Sequence, residues 1–162
     1  MNPVTANDAR RRRRLATEIK DSLRELSNQL SLLNHQVGAH LDLKDVDLDC
    51  LELITRHGPL SPSEIARRAG LHPATMTGIL DRLQKGGWVA RERDPEATDR
   101  RAVTVHALRE RSAEVFKLYS GMNTKLDELL SGYSAADLEL IGGFLQATTG
   151  AGQTATSTLA ET

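Results

Sequence analysis

Leu15, Ile19, Leu23, Leu26, Leu30, Leu33 and Val37 follow one another at steps of 4, 4, 3, 4, 3 and 4 residues. That spacing keeps all seven on one stripe of an α-helix, close to the heptad period of helices that pack along their length. A long amphipathic helix is therefore expected, ending at Gly38. Leu43, Val46, Leu48, Leu51 and Ile54 predict a second helix, closed by His57-Gly58-Pro59, since glycine followed by proline stops a helix. After it, Ser61, Pro62 and Glu64 have the form of a capping box with proline at the first helical position. Ile65, Ala66 and Ala69 give the inner face of this short helix, and Gly70 its end. Pro73 opens the next helix, with His72 as a mediocre cap; Met76, Ile79, Leu80 and Leu83 mark its inner face, and Gly86-Gly87 ends it.

The period then changes from helical to two. Trp88, Val89 and Ala90 lead into Arg91 and Arg93, and Val103, Val105 and Ala107 alternate with Thr104 and His106, so two short strands are expected. The segment from Asp94 to Arg101 that joins them is longer than the usual hairpin loop of about 2–5 residues, and it ends on two arginines. Helix, turn, helix and hairpin in this order predict a winged helix-turn-helix. Beyond Leu108, the run Val115, Leu118, Tyr119, Met122, Leu126, Leu129 and Leu130 predicts a further helix, broken at Ser131-Gly132. Ser134 caps a last one through Leu138, Ile141, Phe144 and Leu145. From Thr148 the chain is small and polar, and a disordered tail is expected there.

The fold class is thus mainly α with a small β-hairpin wing. Residues 10–40 form a flanking helix, 43–108 the winged helix-turn-helix, 109–147 the two later flanking helices and 148–162 the tail. The flanking helices carry apolar seams with no second core in this chain to cover them, so a partner copy is the economical way to bury them.

Composition narrows the possibilities. Aromatic residues make up only 3%, so the core is expected to be aliphatic. No apolar run approaches the roughly 18 residues of a membrane span, and no apolar stretch follows the N-terminal charges as in a secretory signal. The single cysteine, Cys50, can form no intrachain disulfide and fits a reducing cytoplasm; its leucine neighbours point to a core thiol rather than a redox sensor. The net charge of −1 indicates no partner, but its distribution does. Residues 61–109 hold nine Lys/Arg against six Asp/Glu, net +3, whereas residues 110–162 hold three against seven, net −4. A basic middle on an acidic chain is a directional surface. The five histidines lack the clustered spacing of a metal site, and neither a cofactor motif nor a nucleophile–base pair nor paired catalytic carboxylates occurs, which points away from an enzyme.

The stretch from about Leu43 to Leu108 resembles the MarR family of bacterial transcription regulators. The resemblance rests on "GPLSPSEIARRAGLHPATMTGILDRLQKGGWV", on the "DRL" at Asp81 to Leu83, and on "TDRRAV" at the end of the wing, with its Asp-x-Arg at Asp99 and Arg101. It implies a homodimer built from the first and the last two helices, carrying one winged helix on each lobe. It further implies double-stranded DNA as partner, in the form of a pseudo-palindromic operator, and for many members a small, often aromatic, anionic effector that releases the DNA. His35 and His40 fall where the effector pocket of the family lies.

On the expected recognition helix, Ala74, Thr75, Thr77, Gly78, Asp81 and Arg82 point outward. The threonines can bond base edges or offer methyls to thymine, and Gly78 lets the backbone lie close to a duplex; the bland alternative is a solvated helix face. Arg91, Arg93, Arg100 and Arg101 are candidate DNA contacts on the wing, suited to a narrow minor groove. Asp81 would repel phosphate unless neutralised, and pairing with Arg101, itself steadied by Asp99, would brace the wing on the recognition helix. Arg67 and Arg68 suit either phosphate or plain solvent. The block Arg10 to Arg14 suits either nucleic acid or a frayed helix start. Two rivals remain at the level of sequence: an architectural DNA binder that ignores ligands, and a winged helix that binds protein.

Overall fold

The computed structural model describes residues 3–93, 96–98 and 102–160. Its elements run α1 (Pro3–Leu41), α2 (Asp45–His57), α3 (Pro62–Ala69), α4 (Pro73–Lys85), β1 (Val89–Arg93), β2 (Val103–Ala107), α5 (Arg109–Leu130) and α6 (Ala135–Ala160). They fall into two compact units, residues 1–48 and 49–162, divided within α2.

The first unit is dominated by α1, which differs from expectation at both ends. It starts at Pro3, so Arg10 to Arg14 lie beyond its first turn, within a continuous helix, and are not a frayed start. Gly38 does not end it. The helix passes through that glycine to Leu41 and stops at Asp42, whose φ is 54°. Gly38 serves the chain's return instead: its carbonyl accepts from Leu43 N–H at 2.9 Å, and a Cβ there would sit 2.9 Å from the Leu43 carbonyl oxygen. Leu15, Ile19, Leu26 and Leu30 of the heptad-like stripe are exposed.

The second unit holds the winged helix-turn-helix. Its core is aliphatic apart from one indole: Leu51, Ile54, Ile65, Met76, Ile79, Leu80, Leu83, Trp88, Val89 and Val105 are all 2% exposed or less. Cys50 is wholly buried among them, as a core thiol should be. The strands pair antiparallel, with Val89 opposite Ala107, Arg91 opposite Val105 and Arg93 opposite Val103. Leu60, just before α3, adds a bridge to Val105 through two backbone hydrogen bonds of 2.8 and 3.0 Å.

Capping follows the sequence with one change. The Ser61 hydroxyl accepts from Glu64 N–H at 3.2 Å, and Gly70 closes α3 in the left-handed region. The Glu64 carboxylate, however, does not complete the reciprocal half of the box; it is turned to Arg67 and Arg68. Their cations compete better for it than a neutral amide would. At α6 the reciprocal pair is complete, since the Ser134 hydroxyl accepts from Asp137 N–H and the Asp137 carboxylate accepts from Ser134 N–H, both at 3.2 Å.

The region expected to be a disordered tail from Thr148 is helical through Ala160. The hydroxyls of Thr148, Thr149, Thr154, Thr156, Ser157 and Thr158 each donate to the carbonyl four residues back. Polar composition suggested disorder, but these side chains satisfy themselves on the helix, and the interleaved alanines favour it.

A candidate nucleic-acid interface

The recognition helix α4 is built so that one face is committed to the core. Met76, Ile79, Leu80 and Leu83, the four positions expected inside, are all buried. Ala74, Thr75, Thr77, Asp81 and Arg82 are exposed on the other face, and Gly78 is half-exposed. At its start His72 Nδ1 accepts from Ala74 N–H at 3.2 Å, so this cap requires an imidazole with a free lone pair on Nδ1.

The end of α4 fixes where the wing begins. Trp88 N–H donates to the Leu83 carbonyl at 2.9 Å and Gly87 N–H to the Gln84 carbonyl at 3.0 Å, the hydrogen-bond pattern of a Schellman motif. Gly87, at φ 73°, occupies its left-handed position. A Cβ on Gly86 would lie 2.7 Å from the indole, so both glycines are needed to fold Trp88 back onto the helix end.

Arg111 of α5 then closes over this junction. Its guanidinium lies 3.7 Å from the centre of the Trp88 ring, and its Nη1 donates to the Gly86 carbonyl. Nε and Nη2 donate to the Glu114 carboxylate at 3.2 and 3.3 Å. Sequence reading missed this contact. A cation meeting an indole 23 positions away has no periodic signature; the only signal was that the chain's one tryptophan follows two glycines.

The wing is tied to α4 from a second side. Arg91 Nη2 donates to Asp81 Oδ1 at 2.6 Å. The expectation gave Arg91 to DNA and that carboxylate to Arg101, whose own contacts are not among those described. Strand alternation accounts for the place of Arg91. Arg91 sits opposite Val105 and two positions from Val89, so it shares their inward face and its stem crosses the core edge before the head group reaches α4. Arg93, at the open end of β1, is exposed. Asp99, Arg100 and Arg101 lie outside the described residues.

On α3, Glu64 receives Arg67 Nη2 at 2.6 Å, Arg67 Nε at 3.0 Å and Arg68 Nε at 2.7 Å. Hydrogen bonds from Arg67 first, then Arg68, pull its pKa down to about 2 and raise that of Arg67. The two cations thus begin with a carboxylate between them. In the first unit, His35 Nδ1 lies 3.1 Å from both oxygens of Asp45, while His40 Nδ1 meets the Gln36 carbonyl at 3.0 Å. The two histidines are held separately and not drawn into one cluster. Among the described residues no group of His, Cys, Asp and Glu is placed to hold a metal.

A core-anchored helix with a small, hydroxyl-bearing outer face, followed by a hairpin braced to it, defines a winged helix-turn-helix DNA-binding protein. Comparison with known proteins identifies the family. Residues 43–103 match the model of the MarR family. The chain is 33% identical over 116 residues to the uncharacterized HTH-type transcriptional regulator YcgE of Bacillus subtilis (strain 168), covering 71% of this chain and 74% of that one. It is 31% identical over 81 residues to the HTH-type transcriptional repressor YetL of the same organism, covering 50% of this chain and 47% of YetL. The fold matches that of Streptococcus pneumoniae FabT, solved in complex with DNA, with TM-score 0.64 and 17% identity over 83% of this chain and 94% of FabT. The chain belongs to the MarR family. It is a DNA-binding transcription regulator and not an enzyme.

Proposed function

We propose that this regulator acts in the cytoplasm as a homodimeric, operator-specific repressor that a small aromatic anion releases from DNA. The observation that carries the DNA geometry is the outer face of α4, where Ala74, Thr75, Thr77 and Gly78 leave the backbone open to close approach. Arg82 flanks that face, and the wing stands beside it through the Asp81–Arg91 pair. In this reading α4 enters the major groove and Arg93, with Arg100 and Arg101, serves the neighbouring minor groove or its phosphates. Arg91 is assigned to the brace.

Dimerisation is supported by apolar side chains left in solvent on all three flanking helices. Leu15, Ile19 and Leu30 of α1, Leu126, Leu129 and Leu130 of α5, and Leu138, Phe144 and Leu145 of α6 are each between 37% and 65% exposed. A set this size is unfavourable in a monomer. The name of YetL supports the repressor sign. For the effector, an anion would take the place of Asp45 beside His35, a contact that is already charge-complementary when the imidazole is protonated.

Binding-site selection on genomic fragments tests the whole reading. The expected product is a pseudo-palindrome with half-sites about 10 base pairs apart or a multiple of that. Affinity should fall by orders of magnitude between low and physiological salt, and phenolic acids should dissociate the preformed complex. Equal affinity for random duplex, indifferent to such acids, would identify an architectural binder instead.

A further inference from the structure

We propose that Arg111 is a positioning residue for DNA binding, holding the junction between recognition helix and wing on α5. The inference rests on the reading that α4 and the hairpin grip DNA together. Three features of one guanidinium carry it.

First, it sits at the C-terminal end of α4, where the helix leaves carbonyls unpaired and partial negative charge accumulates. The Schellman bonds of Gly87 and Trp88 satisfy Gln84 and Leu83, and Arg111 Nη1 takes the Gly86 carbonyl. Second, it covers Trp88, the residue just before β1, at 3.7 Å from the ring centre. Trp88 is 2% exposed while the Arg111 side chain keeps 37% of its surface, so the cation lies as a half-exposed cover over a buried indole, a cation–π contact of intermediate strength. Third, the other edge of the fork is gripped by Glu114, one turn further along α5. The backbone supports the same joint, since Leu108 N–H donates to the Trp88 carbonyl at 2.9 Å.

One side chain therefore touches the glycine that caps α4, the residue leading into the wing, and a third group on α5. The Asp81–Arg91 pair fixes the wing against the middle of α4, and Arg111 fixes both at the pivot. A change in the direction of α5 would reach the recognition helix through this contact. Arginine alone suits the place: a planar fork can stack, donate to a carbonyl and hold a carboxylate at once, and a lysine ammonium cannot.

The test uses the full-length protein, a duplex obtained by binding-site selection, and the variants Arg111→Gln, Arg111→Lys and Glu114→Gln. Trp88 is the only tryptophan, so its fluorescence reports the joint directly. Both Arg111 variants should alter Trp88 emission in the DNA-free protein, and they should weaken binding to the selected duplex by about 3- to 30-fold. Glu114→Gln should act in the same direction and more weakly. Binding to random duplex should change less. The slope of log K against log salt should stay as in the wild type, because Arg111 neutralises no phosphate.

Unchanged Trp88 emission in the Arg111 variants would show that the stack is not formed in solution and would overturn the proposal. Altered emission with wild-type affinity would overturn it too, and a slope lowered by about 1 would make Arg111 a phosphate contact instead. If all three variants lose their fold, Arg111 is a folding residue and the proposal fails. The underlying interface is tested separately by substitutions at Thr77 and Arg93; if those leave affinity unchanged, the interface reading fails whatever Arg111 does.

Discussion

Asp81 on the recognition helix and Arg91 on the first wing strand form an ion pair of 2.6 Å that joins the two parts of the DNA-binding motif. An acidic group on the outer face of α4 would repel phosphate if left alone, and here it is neutralised by a side chain whose stem is packed against the hairpin's inner face.

Asp81→Ala is accordingly expected to weaken operator binding, although it removes a negative charge from the interface. Asp81 is 60% exposed, so the pair should contribute at most about 1 kcal/mol to stability. The loss should appear in affinity, measured by fluorescence anisotropy, with the melting temperature almost unchanged. Arg91→Lys should weaken binding in the same way. Tighter binding by Asp81→Ala, as simple charge counting expects, would show that the pair does not brace the wing.

The contact between Arg91 and Asp81 illustrates where sequence reading stops. The inner face of α4 was legible because Met76, Ile79, Leu80 and Leu83 recur at helical spacing, and burial follows that spacing directly. The strands were legible from alternation at Val103, Val105 and Ala107. Their register was not, since the eight residues from Asp94 to Arg101 leave many pairings open, and it is the register that sets Arg91 opposite the buried Val105. Gly38 misled because glycine serves close approach as readily as helix termination. The tail misled because threonine in a helix can bond its own backbone. The Arg111 clamp depends on three-dimensional proximity alone.

Self-association can be tested at one exposed leucine. Leu30 is 39% exposed in the single chain, so Leu30→Asp in a monomer should cost little. In a dimer seam it buries an unpaired carboxylate, which costs several kcal/mol or expels the partner helix. The wild type should sediment as a dimer at micromolar concentration and melt at a temperature that rises with concentration. The variant should be monomeric or unfolded. A folded wild-type monomer in the same experiment would refute the assembly.

Glu64 provides a test by pH. Its folded-state pKa, drawn down to about 2 by Arg67 and Arg68, lies below the ordinary 4.5. A depressed carboxylate stabilises the fold above the ordinary value, and that contribution is lost as pH falls from about 4.5 toward 2. Titration of the Glu64 carboxyl by NMR should give a midpoint well below that of an unpaired glutamate, and Glu64→Gln should flatten the pH dependence of stability over this window. A midpoint near 4.5 would mean that the two arginines do not hold it in solution.

The last prediction separates cations that bind from hydroxyls that discriminate. Arg82 and Arg93 are exposed on the proposed DNA face, and phosphate contact by either releases counterions without reading sequence. Arg93→Ala and Arg82→Ala should each weaken binding to selected and random duplexes alike and lower the salt slope by about 1. Thr75 and Thr77 are also exposed, but a hydroxyl carries no charge, so substitution there should leave the slope intact. Valine keeps the methyl that a thymine can touch and removes the hydroxyl that can meet a base edge, so Thr77→Val isolates the hydrogen bond. If that bond reads a base, the variant should lose about 1–3 kcal/mol of discrimination at one position of each half-site while random-duplex affinity holds. If Thr77→Val and Thr75→Val both leave the selected sequence unchanged, α4 contributes fit and not hydrogen-bonded readout, and specificity must come from the shape of the duplex under the wing.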